Sequence, residues 1–175
     1  MMQSLFSSRR SVSSMAPSAA NTNSHSRLKE ILSLLHEKRE SLAACRSRLS
    51  LTSRQIQDIC SALYSSSCHS QTESSSLLNL LANVRAIKIV SEPASSSLPL
   101  SETINLSPFH QLTHLEVRNV AMSHVIHLSQ LRSQLHHLVL YACLDSLDEV
   151  LQECGGDKCT DSFLWSELNS LHVTR

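Results

Sequence analysis

Cysteine and histidine supply most of the reactive side chains in this 175-residue chain, six of the former and ten of the latter. Cys154 and Cys159 bracket Gly155, Gly156, Asp157 and Lys158, a spacing at which two thiolates and a carboxylate oxygen could face one metal ion. A tetrahedral zinc site needs four ligands, however, and no second Cys or His pair completes the set, so the stretch reads more simply as a helix end with one buried cysteine. His110 with His114, and His124 with His127, have ligand-like spacing, but neither pair encloses the glutamate of a metalloprotease motif. No Ser-His-Asp or Cys-His set can be assembled with any specificity. Gly155 and Gly156 are the chain's two glycines, so it has no Gly-rich loop to cradle a phosphate. The expectation is a non-enzyme that needs no cofactor and no metal.

The stretch that points elsewhere is Leu135-His136-His137-Leu138-Val139-Leu140-Tyr141-Ala142-Cys143, with apolar residues at positions one, four and six and a cysteine at nine. That is the strand signature of a leucine-rich repeat. The same template fits Val84-Arg85-Ala86-Ile87-Lys88-Ile89, Leu112-Thr113-His114-Leu115-Glu116-Val117 and Leu168-Asn169-Ser170-Leu171-His172-Val173. Positions nine of the first two hold Glu92 and Val120, and the four starts lie 28, 23 and 33 residues apart. A repeat of this kind cannot bury its apolar side alone, so four in order predict an α/β fold, the start of a leucine-rich-repeat solenoid. Chain between the strands is expected to be helical, marked by Val125, Leu128 and Leu131, then by Leu144, Leu147, Val150 and Leu151 with Gly155 as C-cap.

Parallel pairing of such strands stacks equal template positions about 4.8 Å apart in columns on the outward face. The predicted columns are Ala86, His114, His137 and Ser170; Lys88, Glu116, Val139 and His172; and Val90, Arg118, Tyr141 and Thr174. Arg and Tyr are enriched at protein-binding hot spots. The candidate partner-binding residues are therefore Glu116, Arg118, His114, His137, Val139, Tyr141 and His172, against the alternative of a bare solvated strand face. His114 and His137, as column neighbours, could not both protonate cheaply, which makes this face sensitive to pH between about 5 and 8.

Upstream, residues 1–26 are rich in serine, lack any acidic group and carry Arg9 and Arg10, a transit-peptide composition, but with little amphipathic periodicity and with Pro17 they read as a disordered tail. Residues 27–76 read as a helical region with a Ser-rich linker. Leu28, Ile31, Leu32 and Leu35, extended to Leu42 and Leu49, suggest a first helix; Leu28, Leu35, Leu42 and Leu49 also recur at heptad spacing, but the complementary seam soon turns polar, which favours packing within the domain over a coiled coil. A second helix starts at Thr52 as N-cap and runs through Ile56, Ile59, Cys60 and Leu63. The third, Leu77 to Ala82, leads into the Val84 strand, and together these helices would cap residues 77–175, the repeat region. The net charge is zero and no apolar run approaches the roughly 20 residues of a membrane span. Nucleic acid and membrane therefore lack a charge argument, and the thiols are expected reduced in the cytoplasm.

Ser107-Pro108-Phe109-His110-Gln111-Leu112-Thr113-His114-Leu115-Glu116-Val117-Arg118, then Gln134-Leu135 and Cys154-Gly155-Gly156-Asp157-Lys158-Cys159 ahead of Trp165, resemble the serine/threonine-protein kinase 11-interacting protein family. The likeness extends more weakly back to about Leu28 and excludes residues 1–26. It implies the N-terminal part of a cytoplasmic leucine-rich-repeat scaffold whose partner is a serine/threonine kinase, with no catalytic residues. In that family the repeats continue past the point matching Arg175, so the resemblance implies a fragment. A phosphatase-regulatory leucine-rich-repeat protein is the alternative function.

Overall fold

Short alternations of leucine and β-branched residues with polar ones build the strands of this protein. The computed structural model describes residues 19–64, 71–92, 103–151 and 165–174. Its strands are Leu49–Thr52 (β1), Ala86–Val90 (β2), Ile104–Asn105 (β3), His114–Arg118 (β4), Val125–Ile126 (β5), His137–Tyr141 (β6) and Ser170–Thr174 (β7). The helices are Ala19–Glu37 (α1), Arg39–Ala43 (α2), Ser53–Tyr64 (α3), Gln71–Ala82 (α4) and Asp148–Leu151 (α5). Five strands form one parallel sheet in the order β1-β2-β4-β6-β7, and β3 pairs with β5 in a second, parallel pair. The fold is therefore mixed α/β around a parallel sheet.

The four template strands all form, and their register is the one the template predicts. Ala86 faces His114, His114 faces His137 and His137 faces Ser170, with the Lys88 and Val90 columns in step beside them. Strand starts also repeat a hydrogen-bond fork. The Arg85 carbonyl accepts from the amides of Thr113 and His114, the Thr113 carbonyl from His136 and His137, and the His136 carbonyl from Asn169 and Ser170. Each fork sits at the second template position. The strand ends repeat as well: Asn119 and Ala142, each one residue past its strand, have φ of 53° and 50°. Their amides bond to the carbonyls of Tyr141 and Thr174, the last residues paired on the next strand.

Between the sheet and the elements behind it lies one continuous core. Ile87, Ile89, Leu115, Val117, Leu138 and Leu140 point into it from the sheet, and Leu106, Phe109, Met122, Val125, Leu128 and Leu131 from the return segments. Cys143 is buried as template position nine requires, its single S–H shared between the carbonyls of Val117 and Tyr141. The helices join the same core through Ile31 and Leu35 of α1, Ile56 and Ile59 of α3, and Leu77 and Leu81 of α4. Thr52 ends β1 and caps α3 in a reciprocal box: its Oγ1 accepts from the Gln55 amide at 3.2 Å while Gln55 Oε1 accepts from the Thr52 amide at 2.8 Å.

Several sequence-based expectations need correction. Leu49 does not continue the first helix. Helix α2 stops at Ala43, Cys45 takes φ 56°, and the amides of Cys45 and Arg46 bond back to the carbonyls of Leu42 and Ser41, a Schellman closure that turns the chain into β1. Val125, Leu128 and Leu131 are buried as expected but not in an α-helix: Val125 opens β5, Leu128 caps the 3-10 turn Ser129–Leu131, and Leu131 ends it. Helix α1 begins at Ala19, so residues 19–26 are not tail, and α4 takes over the segment read as linker from Gln71 onward. In α5 Val150 is buried, whereas Leu151 and Leu147, just ahead of the helix, are exposed. The cysteine pair Cys154 and Cys159, the Gly155 cap, residues 1–18 and most of the serine-rich stretches fall outside the described residues.

Candidate functional site

The outward side of the sheet gathers the chain's most distinctive polar group. Glu116 projects from the middle strand β4 and is only 5% exposed. Three cations surround its carboxylate. Arg48 Nη1, just ahead of β1, reaches Oε2 at 2.7 Å; Lys88 Nζ from β2 lies 3.5 Å from Oε1; and Arg118 Nε, two residues along β4, donates to Oε1. Burial alone would raise the carboxyl pKa, but the Arg118 hydrogen bond and the charges of Lys88, Arg118 and Arg48 overcome it and hold Glu116 below its ordinary value. Arg118 also lies over the Tyr141 ring, 5.5 Å from its centroid, and Tyr141 is exposed on the neighbouring strand.

Next to this cluster the first predicted column becomes a ring stack. His114 and His137 have centroids 4.3 Å apart and planes 23° from parallel. His114 Nδ1 is 2.9 Å from Thr113 Oγ1 and 3.4 Å from Cys45 Sγ. Burial, then the charges of His137, Arg48 and His136, lower its pKa, so the neutral ring is favoured. A thiol and an imidazole are thus in contact, a pair sequence reasoning did not assemble because Cys45 stood in a supposed helix. Burial pushes the Cys60 thiol up to about 11, which keeps it protonated at neutral pH.

Five of the seven sequence-predicted site residues therefore meet in two adjacent groups, Glu116, Arg118 and Tyr141 in one and His114 with His137 in the other. Val139 stands between, in the Lys88–Glu116 column and half-buried, and His172 is exposed on β7, its Nε2 3.1 Å from Thr174 Oγ1. Arg48, like Cys45, is a residue sequence reading missed. Its signal was the alternation Arg48-Leu49-Ser50-Leu51-Thr52, hidden because Arg46 occupies the position at which the template demands an apolar residue. The spaced histidines do not converge on a metal: among the described residues no group of three or more His, Cys, Asp or Glu side chains is placed to hold one. His110 is exposed in the turn before β4, while His127 pairs with Gln130 at 3.0 Å. No described helix is long and apolar enough to cross a membrane.

No family model matches the chain. Among curated proteins it is similar to serine/threonine-protein kinase 11-interacting protein from three vertebrates. Identity is 30% over 98 residues with the Gallus gallus protein, covering 56% of this chain and 9% of that one. With the Mus musculus protein it is 33% over 84 residues, 48% of this chain and 8% of the relative. The Homo sapiens protein shares 43% over 58 residues, 33% and 5% respectively. The resemblance read in the sequence is thus shared with named relatives, and the chain spans less than a tenth of the length of any of these three.

Proposed function

We propose, with that likeness as premise, that this chain is a protein-interaction module: a helical cap and the first coils of a leucine-rich-repeat solenoid in a cytoplasmic scaffold. Its partner is a serine/threonine-protein kinase of the sort the relatives are named for, and it performs no catalysis of its own. The observation that carries the reading is the outward face of β2, β4, β6 and β7. There, residues at equal template positions stack in columns and set Arg118, Tyr141, His137 and Val139 side by side. The repeated carbonyl forks and the paired left-handed residues Asn119 and Ala142 support a recurring structural unit. In a solenoid, one face of the strands is left for binding.

The test is direct binding of purified serine/threonine-protein kinase 11 to the whole chain, with Tyr141→Ala and Val139→Asp as face variants and Lys29→Gln, on exposed α1 surface, as control. Saturable binding that the face variants weaken about tenfold or more supports the reading. Binding that all three variants leave equal places the contact elsewhere. Capture of a phosphatase catalytic subunit in preference to the kinase favours the alternative instead.

A further inference from the structure

We infer that the face around Glu116 docks an acidic peptide segment of a partner protein, whose carboxylates bind the side chains of Arg48, Lys88 and Arg118. The inference rests on the face being a partner surface and adds the chemistry of what it takes. One cation neutralises one carboxylate; here three surround it, and among the described residues no second acidic side chain joins the ion pairs. Two positive charges are left over in a chain whose total charge is zero, so the excess is local.

Accessibility decides what a ligand meets there. The Glu116 side chain is 7% exposed, whereas those of Arg48 and Arg118 are 59% and 41% exposed. Solvent therefore sees the cations and hardly the anion they share. Arg48 engages Glu116 through Nη1 and Arg118 through Nε, so each guanidinium is oriented by the buried carboxylate, and such forks bind a second carboxylate through paired hydrogen bonds. Tyr141 beneath Arg118 restrains that group further and adds an aromatic contact of the kind peptide surfaces use. A lipid headgroup layer or a nucleic-acid backbone calls for a broader basic array, about four to eight cations for an anionic membrane. Three cations beside Tyr141 and Val139 suit a short peptide.

The experiment is fluorescence anisotropy of a labelled hexaglutamate peptide titrated with the whole chain at low and moderate salt. Vesicles containing phosphatidylserine and a labelled hexalysine peptide are run alongside. The expected result is saturable hexaglutamate binding that salt weakens and hexalysine does not share. Arg48→Gln and Arg118→Gln each weaken it by about threefold to tenfold, and Glu116→Gln, which removes the internal competitor, tightens it by about threefold. Lys29→Gln leaves it unchanged. Thermal melts accompany every variant; should Glu116→Gln lose its fold, the exposed Arg48 variant and Arg118→Gln decide. Equal affinity of the wild type, Arg48→Gln and Arg118→Gln overturns the inference, as does vesicle binding without peptide binding. If hexaglutamate fails while kinase binding remains sensitive to Tyr141→Ala, the acidic-segment inference falls and the partner face stands; if both fail, the face itself is wrong.

Discussion

A carboxylate as buried as Glu116 stays ionised because its neighbours outweigh its desolvation, and that balance has a pH signature. Its pKa is lowered on folding, so its contribution to stability is complete above its ordinary 4.5 and is lost as the pH falls through the depressed native value. His114 acts higher on the scale. Its native pKa is also lowered, so below its ordinary 6.5 the unfolded chain takes up a proton that the folded ring resists, and stability falls with pH. Urea midpoints followed from about pH 8 to about pH 3 should decline in two limbs, and His114→Gln should flatten the first while sparing the second. An unchanged upper limb in that variant would assign it to other histidines. Both residues were legible in the sequence because strand alternation brings every second residue to one face. Cys45 and Arg48, which complete the two groups, were not: they enter the sheet from a helix end, where Arg46 breaks the apolar template before the alternation from Arg48 to Thr52 begins.

Junctions between elements carry the next level of information. Thr52 serves two elements at once, and Thr52→Ala, which leaves β1 pairing intact, should cost about 1 kcal/mol in chemical denaturation. The left-handed turns after β4 and β6 share one geometry but not one residue. Asparagine tolerates φ near 53° at Asn119, while alanine at 50° in Ala142 pays a steric penalty. Ala142→Gly should therefore stabilise the protein by about 0.5 to 1 kcal/mol, and Asn119→Ala should destabilise it by a similar amount. Opposite shifts in melting temperature are the check; equal signs would mean the turns are not equivalent. The strands could be read from position one, four and six spacing since their leucines have a single buried side. The return segment at Val125, Leu128 and Leu131 could not, because spacing by three also suits an α-helix, whereas here the same buried residues are spread over β5 and a short 3-10 turn.

At the scale of the molecule, the inward residues of the sheet are enclosed from β1 through β6, and burial drops only at β7. Leu138 and Leu140 of β6 are fully enclosed, whereas their partners on β7, Leu171 and Val173, are 36% and 37% exposed. Leu138→Ala should cost about 2 to 5 kcal/mol and Leu171→Ala distinctly less, read from urea unfolding. Hydrogen exchange should show the same order, with amides of β7 opening before those of β4. Equal protection across the two strands would mean that the sheet unfolds as one unit. Among the described residues no strand pairs with the outer side of β7, which has a further consequence, for the protein as a colloid. Leu147 and Leu151 are exposed as well, and the isoelectric point is about 7.1, so near neutral pH these molecules carry almost no charge with which to repel one another. A strand edge without a partner, beside apolar neighbours, is a template for a second strand. Concentrated solutions should be least soluble around neutrality and recover when the pH is moved to either side, with light scattering as the measure and β7 as the contact.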